Sequence, residues 1–165
     1  PNRLLLTDRL EHALSVLRRL NTQVALLFFD LDGFKEVNDT LGHSVGDSLL
    51  RAIAARMQSL LRDGDTVARF GGDEFVILTE SCESREGLMR VAEKTIKEVS
   101  QPVQVEGREI TVHASLGIAI GPANGTDSQT LIQAADKAMY RAKAREGSHF
   151  CFYDEIEEKE LADCD

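Results

Sequence analysis

The stretch Arg69-Phe70-Gly71-Gly72-Asp73-Glu74-Phe75-Val76-Ile77-Leu78 constrains the fold more than any other part of the chain. Two runs rich in strand-forming residues, 66–70 and 75–78, are separated only by paired glycines and paired acids. Gly-Gly between such runs reads as a β-hairpin turn, because glycine enters left-handed backbone conformations without a Cβ clash. The chain therefore contains antiparallel pairing, and the acids fall at a turn. Turns often carry Asp and Gly for conformational reasons alone. The functional reading of the same turn is that it holds carboxylates for a metal while glycine admits a bulky ligand to the backbone.

The remaining pattern supplies the partners of this hairpin. Leu4, Leu6, Leu10, Leu14, Leu17 and Leu20 recur near helical spacing, so residues 3–20 read as an amphipathic helix. Val24-Ala25-Leu26-Leu27-Phe28-Phe29 is an unbroken apolar run, the mark of a central strand, and it ends at Asp30. Helical intervals return in 46–61 through Leu49, Leu50, Ile53, Ala54 and Met57. They return again in 84–100, with Leu88, Val91, Ala92 and Ile96 inward. Residues 103–105 and 110–119 read as a second hairpin around Glu106-Gly107-Arg108. A further helix starts at 126–128 and carries Leu131, Ala135, Ala138, Met139 and Ala142 on one face. Residues 150–153 make a last short strand. The expected class is α+β, with one mixed, mainly antiparallel sheet covered by helices.

A net charge of −9 argues against binding to a nucleic-acid backbone or an anionic membrane surface. It leaves room for a small phosphorylated ligand, since a bound divalent cation inverts the local charge. Cys82, Cys151 and Cys164 are odd in number and widely spaced, forming neither a disulfide framework nor a zinc motif. Reducing cytoplasm is the simpler expectation, with no direct membrane contact from this domain and a membrane-tethered parent protein left open. At 165 residues one domain is expected over 1–154, with 155–165 an acidic tail or a linker to a neighbouring domain.

The first strand delivers Asp30-Leu31-Asp32-Gly33-Phe34-Lys35 to its carboxyl end. Alternation puts Asp30 and Asp32 on one side and Leu31 on the other. If this strand neighbours the hairpin, Asp30 and one of Asp73 or Glu74 can share a hard cation such as Mg²⁺. That ion favours one or two carboxylates plus substrate phosphate oxygens. Adjacent residues of extended backbone face opposite ways, so at most one of Asp73 and Glu74 should take the primary metal role. An EF-hand reading fails because Phe34 would occupy a ligand position, and no phosphate-binding P-loop or dinucleotide fingerprint is present.

Taken together, several segments resemble the GGDEF family of diguanylate cyclases. They are residues 30–35, Asn38-Asp39, Gly42-His43, Gly46-Asp47, the Gly71-Gly72-Asp73-Glu74-Phe75 turn, 115–119 and 136–143, in family order over nearly the whole chain. Pro1-Asn2-Arg3 is similar to the tail of the family's opening motif, whose start is missing. The resemblance implies a fold like nucleotidyl cyclases and polymerase palms. It implies condensation of two GTP molecules into cyclic di-GMP and two pyrophosphates, with Mg²⁺ or Mn²⁺, at a homodimer interface. By the same resemblance Asp30, Asp73 and the Leu31 carbonyl hold the metal, and Asp73 or Glu74 deprotonates the attacking 3′-hydroxyl. Asn38 and Asp47 would read guanine, with His43, Phe34, Lys35, Gly71, Gly72 and Lys143 also at the substrate.

Arg62 and Asp65 match the family's inhibitory product site. Each assignment has a plainer reading: Asp47 as a helix N-cap or first-turn acid, His43 as a loop residue, Phe34 as core, Asp32 and Asp39 as solvated or capping acids, and Arg62 with Asp65 as a surface ion pair. The run after Lys143 departs from the family, since no arginine follows Gly147; either Arg145 replaces that phosphate contact or the contact is lost. The alternative function is a non-enzymatic module that binds GTP or cyclic di-GMP and regulates an attached domain such as a phosphodiesterase.

Overall fold

The apolar run beginning at Val24 forms β1 (Val24–Asp32), and every residue up to Leu31 is buried. The computed structural model describes residues 2–82, 84–145 and 149–156; the altered segment 146–148 and the tail beyond 156 lie outside them. Along the chain the elements are α1 (Arg3–Leu20), β1, α2 (Phe34–Leu41), α3 (His43–Leu60), β2 (Thr66–Gly71), β3 (Glu74–Thr79) and α4 (Arg85–Val99). Then come β4 (Val103–Val105), β5 (Arg108–Ile110), β6 (His113–Gly121), α5 (Ser128–Lys143) and β7 (Phe150–Phe152). The main sheet has the order β2-β3-β1-β6-β7. Its pairs are antiparallel except β6 with β7, as the α+β expectation requires.

β1 is central because both its faces are apolar. Val24, Leu26 and Phe28 meet Leu6, Leu10 and Leu14 of α1 and Leu131, Ala135 and Met139 of α5. Leu27, Phe29 and Leu31 pack on the other face against Leu49 and Ile53 of α3 and Leu88 and Ala92 of α4. Each such leucine contributes roughly 1.5–3 kcal/mol by leaving water. Helix ends are set by local polar side chains: Asn2, Ser84 and Asp127 accept from Leu5, Gly87 and Thr130 backbone N–H groups at 3.1, 3.0 and 2.8 Å.

Four sequence expectations change. Leu4 and Leu20 are 72% and 64% exposed, so the buried stripe of α1 is Leu6, Leu10, Leu14 and Leu17. Leu4 sits two residues from Leu6 and so about 200° round the helix. Residues 34–41 form a helix that went unread, since only Phe34, Val37 and Leu41 mark its period. α3 starts at His43 rather than 46, directly after Gly42 (φ +94). The run expected as one strand over 110–119 is broken at Thr111-Val112; β4 and β5 form a separate two-stranded sheet, and β6 begins at His113.

α5 lies unusually close to β6. A Cβ on Gly117 would overlap the Met139 nitrogen and the Ala135 oxygen, so glycine is required for the helix to sit there. This packing sets where Asp136 and Lys143 stand above the sheet. Among the described residues no helix is long and apolar enough to cross a membrane.

Candidate active site

β1 and β3 are paired so that Asp30 stands opposite Glu74, while β1 and β6 place Ser115 opposite Asp30 and His113 opposite Asp32. Directly paired residues share a face of the sheet. Asp73 lies in the turn beside Gly72 (φ +47), and its carbonyl accepts from the Leu31 N–H at 3.3 Å. The strands meet at Gly71 and Glu74, which leaves Gly72-Asp73 as the loop, with a bulge between Arg69 and Gly71. Arg69 clamps this loop by donating from Nε to the Gly72 carbonyl at 2.8 Å. A Cβ at Gly71 or Gly72 would meet nothing within 4 Å, so the flank of the turn is open to an approaching group.

The turn takes Asp73 out of extended backbone, and both acids come near enough to Asp30 for its charge to act on them. Burial is the first cause that pushes Glu74 above the ordinary carboxylate range, followed by the charges of Asp136, Asp73 and Asp30, with Arg3 opposing. Asp73 is raised by burial first, opposed by a backbone hydrogen bond, with Asp30 and Asp32 pushing up and Lys143 pulling down. Asp136 is raised by burial and then by Asp30.

Asp30 is 6% exposed. Its Oδ2 accepts from Lys143 Nζ at 2.6 Å, and its Oδ1 is buried with no hydrogen-bond partner. The Lys143 ammonium is held charged to higher pH, chiefly by that bond, against the opposing effect of burial. Ser115, itself buried, donates to Asp32 Oδ2 at 2.8 Å and fixes that carboxylate beside Asp30.

The donor set fits a hard cation. Carboxylates outnumber the ammonium that faces them, and one buried carboxylate oxygen lacks a partner. Among the described residues no three His, Cys, Asp or Glu side chains converge as a ready-made cage. Magnesium is commonly held by fewer protein ligands, with substrate phosphates completing its shell. Leu31 buries its side chain in the opposite face, so only its backbone faces this cluster.

On the flank, α2 and α3 form a helical hairpin around Gly42, whose N–H donates to the Asn38 carbonyl at 3.0 Å. Asn38 packs on Gly46, where a Cβ would overlap Asn38 Oδ1. Asp47 is exposed in the second turn of α3, which removes the N-cap and first-turn readings. His43 and Lys35 are exposed, His43 as the first residue of α3 rather than in a loop. Phe34 is 8% exposed and belongs to the core, its ring edge reaching under Gly46. The structure thus gives Phe34 a supporting place beneath Asn38 and Gly46 rather than an open wall.

Residues 1–149 match the family model described as diguanylate cyclase, GGDEF domain. The chain belongs to the GGDEF family. It is 46% identical over 154 residues to MucR of Pseudomonas aeruginosa, named a bifunctional diguanylate cyclase/cyclic di-GMP phosphodiesterase, covering 93% of this chain and 22% of that protein. The crystal structure of the GGDEF domain of TpbB from the same species superposes with a TM-score of 0.89 at 37% identity, covering 92% of this chain and 95% of that one. The GGDEF domain of DgcB from Caulobacter crescentus, solved in complex with c-di-GMP, gives a TM-score of 0.83 at 25% identity, covering 92% and 88%. The chain spans about a fifth to a third of the length of the curated relatives it matches.

In this GGDEF domain Arg62 and Asp65 line a cleft of about 380 Å³ between the end of α3, β3 and α4. The Asp65 N–H donates to the Arg62 carbonyl at 3.1 Å, closing a turn at Gly64 (φ +97). Burial raises the Asp65 carboxyl, against the pull of the Arg62 backbone bond and charge. Arg90 and Lys94 of α4 line the same cleft.

Arg145 lies elsewhere. With Arg141, Cys151 and Glu155 it lines a small pocket beneath the end of α5. The chain stays packed as far as Ile156, which is 3% exposed. Asp30 beside the hairpin acids was expected if the two strands were neighbours, and the register makes Glu74 its direct partner. Sequence reasoning missed Asp136 acting on Glu74 and Ser115 holding Asp32, since no local signal carries either.

Proposed function

We propose that this domain is one half of a diguanylate cyclase, binding one GTP and joining a second copy to form cyclic di-GMP. What carries the reading is one juxtaposition. Buried Asp30 stands opposite Glu74 and beside Asp73, with Lys143 Nζ 2.6 Å from its carboxylate and an open glycine flank next to it.

In this reading Asp47 accepts from guanine N1–H and N2–H, and the Asn38 amide pairs elsewhere on the base. The bare Gly71 and Gly72 let phosphate oxygens lie against the turn. Lys143 pairs with the triphosphate as a mobile point charge. Asp30, Asp73 and the Leu31 carbonyl would hold a divalent cation, Mg²⁺ or Mn²⁺, which supplies charge neutralisation at the α-phosphate and lowers the pKa of the 3′-hydroxyl. Asp73 or Glu74 takes the proton of that hydroxyl, a role that a carboxylate within hydrogen-bond reach of it can fill. The 3′-oxygen of each nucleotide bonds to the α-phosphorus of the other, and each α–β bridging bond breaks to release pyrophosphate. A two-fold symmetric product calls for a two-fold arrangement of two domains.

Arg62 and Asp65 serve as the product-inhibition site, the arginine fork meeting phosphate and the carboxylate accepting from guanine. The test is direct: incubate the domain with GTP and Mg²⁺ and separate the nucleotides by chromatography. Cyclic di-GMP from the wild type and none from Asp73→Ala supports the enzyme.

The second reading is a module that binds GTP or cyclic di-GMP and regulates an attached domain such as a phosphodiesterase. What favours it is that relatives such as MucR are several times longer than this chain. Saturable nucleotide binding without product, even when two copies are tethered together, would select it.

A further inference from the structure

We propose that Lys143 is a built-in competitor for the divalent cation: without nucleotide it occupies Asp30, and cation binding and transfer of Lys143 to the phosphates are one exchange. This rests on the reading of Asp30 as a cation ligand, given above.

The geometry has three parts. Lys143 Nζ is 2.6 Å from Asp30 Oδ2, a short charge-assisted contact on an oxygen a cation would use. The lysine satisfies Asp30 only in part, because Oδ1 stays buried without a partner. An unpaired buried carboxylate oxygen is costly, so Asp30 keeps a demand for further positive charge. Finally, the lysine is free to leave and its partner is not. Lys143 is the last residue of α5 with its side chain 48% exposed, whereas the Asp30 side chain is 8% exposed in the central strand. Ser115 and Asp32 flank the same spot, so the acid cluster stays in place when the lysine moves.

Two consequences follow. Without nucleotide, a cation must displace a bound ammonium and meets a site already partly neutralised. With nucleotide, the phosphates offer Lys143 a second partner, the carboxylate is vacated, and the cation binds more tightly. Cation and nucleotide therefore favour each other through one side chain, and this coupling is reciprocal.

The test is a titration with Mn²⁺, followed by the paramagnetic resonance of the free ion, with and without a non-hydrolysable GTP analogue. In the absence of nucleotide, Lys143→Met should bind Mn²⁺ about tenfold more tightly than wild type, the effect of removing one charge-assisted competitor. Lys143→Arg, which keeps the charge, should stay near the wild-type affinity. Adding the analogue should tighten Mn²⁺ binding more in wild type than in Lys143→Met. Unchanged or weaker binding by Lys143→Met, while Asp30→Asn abolishes binding, would overturn the exchange and leave the cation site standing. Wild-type binding that is indifferent to Asp30→Asn would overturn both.

Discussion

Asn38 rests directly on Gly46: any Cβ at Gly46 would overlap Asn38 Oδ1, the tip of the side chain assigned to guanine. The overlapped atom ends a flexible polar side chain that can swing away. Gly46→Ala should therefore cost less than about 1.5 kcal/mol of stability, below the usual cost of overpacking a core. It should nevertheless weaken GTP binding about tenfold, the loss of one good hydrogen bond to the base. Denaturant melts beside calorimetric titration with a GTP analogue separate the two effects.

Gly117 makes the opposite case. The atoms that a Cβ would meet there belong to the α5 backbone, and they cannot move without lifting the helix from β6. Gly117→Val should destabilise the domain by about 3 kcal/mol or more. The urea midpoint will fall in proportion.

The electrostatics of the acid cluster give a pH prediction. The Asp136 carboxyl is raised first by burial and then by Asp30, so the fold favours its protonated form. The stabilisation from that form is fully present below the ordinary aspartate value of about 3.9 and is lost as pH rises through the raised one. At neutral pH the charge is a small liability, and Asp136→Asn should raise Tm by about 1 °C, discounted for partial exposure. The gain should disappear in melts below about pH 3.9.

Much of this was legible in the amino-acid order. The apolar run before Asp30 specified a central strand, and the Gly-Gly pair specified a hairpin whose loop proved to be Gly72-Asp73. The long helices were readable because leucine and alanine recur along one face. α2 escaped because eight residues carry too few apolar positions to show a period. The break at Thr111-Val112 escaped because Ile110, Thr111 and Val112 are all β-branched, so nothing local marks an interruption there. Only the tertiary fold decides that Val112 turns into the core, at 2% exposure.

The site divides in the same way. Its chemistry-bearing residues were named from motif resemblance, but their mutual positions depend on register. Glu74 faces Asp30 only because β1 and β3 pair as they do, and Lys143 reaches Asp30 across 113 positions of sequence. No local pattern encodes a contact at that separation.

The cleft behind α4 gives a separable prediction. Arg62→Ala and Asp65→Ala should each raise the cyclic di-GMP concentration needed for half-inhibition by about tenfold or more, the scale of one charge-assisted hydrogen bond. Initial rates before product accumulates should stay at the wild-type level. Progress curves with added cyclic di-GMP read both quantities.

The measurement that bears most directly on the central claim is the dependence of cyclic di-GMP formation on domain concentration, from GTP and Mg²⁺, in wild type and Asp73→Ala. A site that is half of a two-fold centre predicts a rate rising faster than linearly with concentration, near second order when dilute. It also predicts a strong increase on tethering two copies and no product from Asp73→Ala. Product formation strictly proportional to concentration, or undiminished in Asp73→Ala, would contradict the account.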